Sequence, residues 1–356
     1  MKSILLASAS VFAFAGAAAA DGHAGVSFGG DATVGYNDTV DNGFYFDGNL
    51  GVTFAATLDN GLTAGATFDI DVEDGQDGAL DLGAGNWVVT LSSDMATMSF
   101  GDVDPAAEGN WSGVDGMEAD GFADYDAHTG AGYDAVLRGD VNWNGWMASV
   151  SFGADTDGDG AGNVIDAPQA YVSGSFGAFG VMAAYQQDTI GLDQIIAVGA
   201  SASFAGADLM VAFAQDGNET SYGGSIAYPI GPVALGAYVA QNDVAGLAFG
   251  VSADYASGPI TVGVAYDVDP GEDAGSGTAA LDASYALGNG ITILAGAAQD
   301  LAADTTMFYG AGSVDLGGGA TFLLSYADDG IANNAGEDLG GPEYKEGLTA
   351  ELSFTF

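Results

Sequence analysis

The chain has 356 residues, with 49 Asp and Glu against three Lys and Arg, and a formal charge of −46 at neutral pH. That surplus of carboxylates makes nucleic acids, anionic phosphates and anionic lipid headgroups poor partners. Cysteine is absent, which excludes a disulfide framework and a thiolate zinc site. A hydrophobic fraction of 48%, arranged as alternating Val, Ile, Phe and Tyr, separates the chain from an intrinsically disordered acidic one.

In chain order, Lys2, the apolar stretch Ile4 to Ala15, and Ala18-Ala19-Ala20 before Asp21 have the charge, length and small-residue ending of a secretory leader. This predicts a signal peptide over residues 1–20 and one further domain over 21–356, in which Arg138 and Lys345 alone face the 49 acids. Beyond Ala20 no run of about 18 apolar residues occurs, so no membrane-spanning helix is expected.

From there, segments of about ten residues alternate apolar with small or polar side chains, as in an outer-membrane barrel. Phe44, Phe46, Leu50, Val52, Phe54 and Leu58 share one face, and Asp47, Asn49, Thr53 and Thr57 the other. After the tight-turn sequence Asp59-Asn60-Gly61, the pattern repeats with Leu62, Ala64, Ala66, Phe68, Ile70 and Val72 against Thr63, Thr67, Asp69 and Asp71. Short turns, such as Ser92–Asp94, Asn144–Gly145, Gly206, Gly258–Pro259 and Gly317–Gly319, alternate with longer acidic connections, such as Glu73–Gly85, Asp155–Ala167, Asp216–Glu219 and Asp328–Glu346. The fold class is therefore all-β, a transmembrane antiparallel up-and-down β-barrel, and the strand count is 20 with both ends of the barrel chain on the short-turn side.

The longest connection follows strand five and spans residues 102–130. It carries Asp102, Asp104, Glu108, Asp115, Glu118, Asp120, Asp124 and Asp126, with Trp111, Phe122 and Tyr125 and no Lys or Arg. Acids on an external connection can be simply solvated. This one is over twice the usual loop length and holds aromatics, which predicts packing, and the barrel interior is the place for it. Arg138, in strand six, shares a face with Asp134, Asp140 and Asn142 and is expected to point into the lumen, where an ion pair is its plain role. Farther on, Asp155, Asp157 and Asp159 alternate ahead of Gly160, with Asp166 twelfth. That spacing matches an EF-hand calcium loop but departs from it at Gly162, in the terminal Asp and in its strand flanks; a plain acidic turn is the competing reading.

In the second half, Phe176, Phe204, Tyr228, Tyr255 and Tyr285 precede short turns, while Tyr185, Phe213, Tyr238, Tyr266 and Tyr326 precede longer connections. That spacing suits two aromatic girdles at the headgroup levels. In the last segment Leu348, Ala350, Leu352, Phe354 and Phe356 share a face opposite Thr349, Glu351, Ser353 and Thr355, as expected of a strand that closes a barrel against its first. His23 and His128 are the histidines, and neither sits in a recognisable catalytic constellation.

The leader, the turns Leu58-Asp59-Asn60-Gly61-Leu62 and Asp315-Leu316-Gly317-Gly318-Gly319, the long loop after strand five and the terminal Phe356 resemble, in that order, the general diffusion porins of alphaproteobacteria, the Rhodobacter type. The resemblance implies a homotrimer of barrels in outer-membrane lipid and lipopolysaccharide, a norm of 16 strands rather than 20, and a loop folded inward as a constriction. It implies passive passage of small hydrophilic solutes with no required cofactor; the acids above and Arg138 would line the constriction. A lumen so rich in carboxylates should prefer cations, with calcium an optional ligand at Asp155–Asp166. Two rivals stand beside this reading: a secreted or surface acidic calcium-dependent β-sandwich for adhesion or binding, and an outer-membrane enzyme.

Overall fold

The structure, a computed structural model, describes residues 24–39, 43–74, 80–123, 135–154, 165–187, 193–328 and 344–356. Its strands are β1 (Ala24–Asn37), β2 (Phe44–Thr57), β3 (Thr63–Asp74), β4 (Leu80–Ser92), β5 (Ala96–Gly101), β6 (Ala135–Trp143) and β7 (Trp146–Ala154). They continue as β8 (Ile165–Phe176), β9 (Phe179–Gln186), β10 (Ile195–Phe204), β11 (Ala207–Asp216), β12 (Glu219–Ile230), β13 (Val233–Asn242) and β14 (Gly246–Ser257). The last are β15 (Ile260–Val268), β16 (Thr278–Gly288), β17 (Ile291–Asp300), β18 (Thr305–Gly317), β19 (Ala320–Ala327) and β20 (Gly347–Thr355). Each pairs antiparallel with its neighbours in sequence, and β1 pairs with β20, so all 20 strands form one closed sheet.

The side-chain period of two decides which face is which. Val26, Phe28, Phe54, Val89, Val150, Val198, Val211, Val251, Ile293 and Leu324 are exposed on the outside, while the inward positions between them are mostly small or polar, with a few larger side chains such as Tyr171, Ile195 and Tyr309. A soluble sandwich would bury that apolar face between two sheets; here it covers the outer wall, as a bilayer requires. Phe176, Phe204, Tyr228, Tyr255 and Tyr285 stand exposed above the short-turn rim, as expected. At the other rim Tyr185, Phe213, Tyr266 and Tyr326 follow the outward alternation, but Tyr238 does not. It lies on the face opposite Leu235 and Val239, inside the barrel, and is corrected from the girdle to the lumen.

Turn chemistry sets one rim. Asn144 and Gly145 both have positive φ, 47° and 80°, the two-residue mirror-image turn that matches strand twist, with Trp143 paired to Trp146 across it. The other rim is less uniformly long than the acidic composition suggests. Glu73–Gly85 is mostly strand, since β3 runs to Asp74 and β4 starts at Leu80. Asp216–Glu219 shrinks to a tight turn at Gly217. Asp216 and Glu219 thus belong to strand ends.

The seam is well specified. Asp31 through Asn37 run in register with Thr355 back to Thr349, and the Gly30 and Phe356 backbones exchange hydrogen bonds at 2.9 Å each. Leu348 and Phe354 point outward and Thr349 inward, as the terminal alternation predicts. Asn37 is fully buried and its Nδ2 donates to Glu346 O at 2.7 Å and Thr349 Oγ1 at 2.8 Å. Its Oδ1 accepts from Thr39 N at 2.8 Å. Replacing Asn37 with Ala leaves those buried groups unpaired, at a cost of about 1–3 kcal/mol. The expected outcome is a lower temperature for the unfolding-linked mobility shift on electrophoresis; an unchanged temperature contradicts this account of the seam.

Candidate functional site

The described part of the long connection, residues 102–123, lies against the inner wall from β7 to β14. It leaves β5 through Gly101 and Asp102, whose N–H donates to Trp87 O at 2.8 Å. A turn at Pro105–Gly109 aims three backbone N–H groups at the wall. Ala106 donates to Ser151 Oγ at 2.7 Å, and Ala107 and Glu108 both donate to Gln169 Oε1 at 3.0 and 3.1 Å. At the loop's tip, Glu118 and Ala119 donate to Ser221 Oγ at 3.2 and 2.9 Å, while Asn242 Nδ2 donates to Gly116 O at 2.8 Å. Gly116 has φ 76° and no room for a side chain: a Cβ would come within 2.6 Å of Ala248 Cβ and 3.1 Å of the Tyr238 ring.

Two glutamines clamp the outgoing and returning limbs together. Gln169 on β8 and Gln186 on β9 face each other in register, and both are almost wholly buried. Gln169 Nε2 donates to Ala123 O at 2.8 Å, and Gln186 Oε1 accepts from Ala123 N at 2.9 Å. Between these polar ties, Ala107, Ala119 and Phe122 pack on Tyr171, Ala184, Ile195, Ala197 and Ala214, with Trp111, Met117, Met147 and Met182 around them. Alanine and small polar residues on the inner wall make room for a second layer of chain, which buries both faces.

The loop acids have different surroundings. Asp102, Asp104, Asp115 and Glu118 are exposed, and Glu108 is partly buried. Asp120 accepts from Trp111 Nε1 at 2.9 Å within the loop's own packing. Burial pushes its carboxyl above the ordinary aspartate value, against the lowering effect of that indole donor. Arg138 does point inward: its Nε donates to Asp140 at 3.0 and 3.1 Å, and its Nη1 to Asp104 O at 3.1 Å. The guanidinium therefore ties the loop base to the wall as well as neutralising one carboxylate. Asp124 and Asp126, with Asp134, Tyr125 and the histidines His23 and His128, lie outside the described residues. So do residues 1–20 and the calcium-loop residues Asp155, Asp157 and Asp159; the backbone of Asp166 follows Ile165 at the start of β8. Among the described residues no group of three or more His, Asp or Glu is placed to hold a metal.

Opposite the covered wall, the bare lumen is acidic. Asp31, Asp47, Asp69, Asp71, Asp254, Asp267, Asp282, Asp315 and Glu351 all occupy inward positions on β1–β3, β14–β16, β18 and β20. Three of these carboxylates belong to one recurring arrangement across three strands. Tyr45 lies over Gly35 toward Glu351, and Tyr238 over Gly250 toward Asp267, each tyrosine donating its hydroxyl to the carboxylate. Tyr309 lies over Gly296, the residue between it and Asp282. Glycine is needed because a Cβ would strike the ring. Sequence reasoning missed these tyrosines and the anchors Ser151, Gln169, Gln186, Ser221 and Asn242. The available signal was a long amide or aromatic residue at an inward position of a strand otherwise lined by small ones.

The described residues thus form a closed tube with an acidic inner face and a loop lying inside it. Comparison with protein families gives a match to the profile described as Gram-negative porin over residues 7–305. Among solved structures, a triple mutant of the Rh. blastica porin superposes with a TM-score of 0.45 at 14% identity, covering 93% of this chain and 100% of that one. A further mutant of that porin gives 0.43 at 15% identity with the same coverage. No curated protein sequence matches.

Two substitutions test the site's construction. Gln169→Ala removes the acceptor for two loop N–H groups and should loosen the loop without unfolding the barrel, read as stronger acrylamide quenching of tryptophan fluorescence through Trp111. Gly250→Ala should displace the Tyr238 ring and lower thermal stability by about 1–3 kcal/mol; wild-type stability contradicts the close approach described for that ring.

Proposed function

The chain belongs to the Gram-negative porin family, and we propose that it serves as a cation-preferring channel for small hydrophilic solutes, assembled as a homotrimer in outer-membrane lipid and lipopolysaccharide. The observation that carries the preference is the lumen itself: an inward wall of aspartates faces a loop whose exposed side chains include Asp102, Asp104, Asp115 and Glu118. Rings of carboxylate raise the local concentration of cations and repel anions. The loop narrows the passage, with Asp102, Asp104, Glu108, Asp115, Glu118 and Arg138 near it. Solutes move down their own gradients, so no catalytic group or cofactor is required.

The β-sandwich alternative is disfavoured by closure of all 20 strands into a single sheet with its apolar face outward. An enzymatic role is disfavoured by family membership, which points to a channel. Calcium at Asp155–Asp166 is part of the proposal on its sequence spacing alone, and calorimetry without a calcium heat removes it.

Planar-bilayer recording tests the reading. A salt gradient should give a reversal potential on the cation side, large in dilute salt and small at 1 M, where the Debye length falls to about 3 Å. Anion preference, or no channel, overturns it. Lowering the pH protonates carboxylates, and Asp120, whose value burial raises, should lose its charge at a higher pH than a free aspartate would. Cation preference should accordingly decline between about pH 6 and pH 3. Arg138→Gln should leave assembly intact and increase cation preference.

A further inference from the structure

The end of the last long connection turns back into the barrel. Tyr344 is buried with its ring 5.2 Å from that of Tyr309, against Ala311, Ala327, Leu294 and Leu323. Two residues on, Glu346 O accepts from Asn37, and Leu348 N donates to Asp38 Oδ1 at 2.7 Å. Lys345 is therefore held from both sides. Its Nζ sits 3.4 Å from the centroid of the Tyr45 ring and 3.7 Å from Glu351 Oε1, and its side chain is about half exposed. The Tyr45 hydroxyl donates to the same carboxylate.

So exposed a pair contributes little to stability; its consequence is where it puts the charge. β20, β1 and β2 lie halfway round the 20-stranded ring from β10 and β11, the middle of the wall that residues 102–123 cover. Glu351 in β20 and Ser151 in β7 both lie a few residues inside the same rim. Lys345 thus enters the lumen from the same rim as the loop. Arg138 differs, because its guanidinium is taken up by Asp140 and the Asp104 carbonyl.

Resting on the channel reading, we propose that Lys345 is a selectivity-determining residue. The turn anchored by Tyr344 and Glu346 holds its ammonium in the conduction path, where it cancels Glu351 and limits the cation preference that the other carboxylates set. A mobile surface lysine would be free to leave; Tyr45, pressed onto Gly35, gives this one a face to rest on.

The test is bilayer recording of the full-length protein in a potassium chloride gradient, comparing wild type with Lys345→Gln, Lys345→Arg and Glu351→Gln. Lys345→Gln is expected to raise the potassium-to-chloride permeability ratio about twofold in dilute salt and much less at 1 M, where screening shortens the reach of the charge. Lys345→Arg should keep the wild-type ratio, and Glu351→Gln should lower it. An unchanged ratio in Lys345→Gln channels of normal conductance overturns the proposal, as does an equal change in Lys345→Arg. Should Lys345→Gln fail to assemble, Glu351→Gln decides alone, and no decrease in its ratio sinks the idea. A wild-type protein that forms no channel overturns the channel reading instead, which separates the two failures.

Discussion

In a hydrocarbon layer a backbone N–H or C=O without a partner costs several kcal/mol, so a sheet can cross it only by having no edge. The β1–β20 seam meets that requirement here, and the rest of the structure depends on it. Once the sheet closes, each strand has a lipid face and a water face, and the period of two assigns every residue to one of them. The chain's acidity then ceases to conflict with its hydrophobicity. Carboxylates take inward positions and most Val, Ile, Leu and Phe side chains take outward ones along the same strands.

Closure also decides where a long connection can go. Residues 102–123 expose backbone N–H groups that need acceptors, and the inner wall supplies them as side chains, since its own backbone is committed to the ladder. Gln169, Gln186, Ser151, Ser221 and Asn242 are those acceptors. They stand at inward positions of strand ends near the long-connection rim, where a loop coming over the edge first meets the wall. The loop's apolar side chains fill the alanine-lined surface between them. Packing and polar satisfaction therefore act at the same place, and Arg138 adds a charged tie at the base.

Much of this architecture was legible in the sequence because membrane barrels repeat one simple pattern. The number of strands, the Asn144–Gly145 turn, the inward Arg138 and the outward terminal Phe356 all follow from alternation and turn chemistry. The errors have a common physical origin. Glu73–Gly85 reads as a loop because acids are rare in strands of soluble proteins, yet a strand with one wet face accepts them. Tyr238 reads as a girdle residue because its distance from the turn suits one, whereas the parity set by Leu235 and Val239 puts it inside. Gln169 and Gln186 could be placed in the lumen by parity but not assigned to Ala107 and Ala123. Such partners are set by a loop path that no local pattern encodes.

The tyrosines lying over glycines connect the packing of the wall to its charge. A glycine in a strand weakens it, because it has no side chain to pack against its neighbours. Gly35, Gly250 and Gly296 each receive a tyrosine ring from the adjacent strand, which restores packing where a Cβ is missing. That ring spans the strand and brings its hydroxyl toward a carboxylate on the far side: Glu351, Asp267 or Asp282. A hydroxyl donor steadies an ionised carboxylate without cancelling its charge, whereas an ammonium or guanidinium cancels it. Asp267 therefore has a hydroxyl as its partner, Tyr238, while Glu351 and Asp140 have a cation beside them, Lys345 and Arg138. With so few cations in the chain, the choice between a tyrosine and a cation as the carboxylate's neighbour sets the charge profile along the pore.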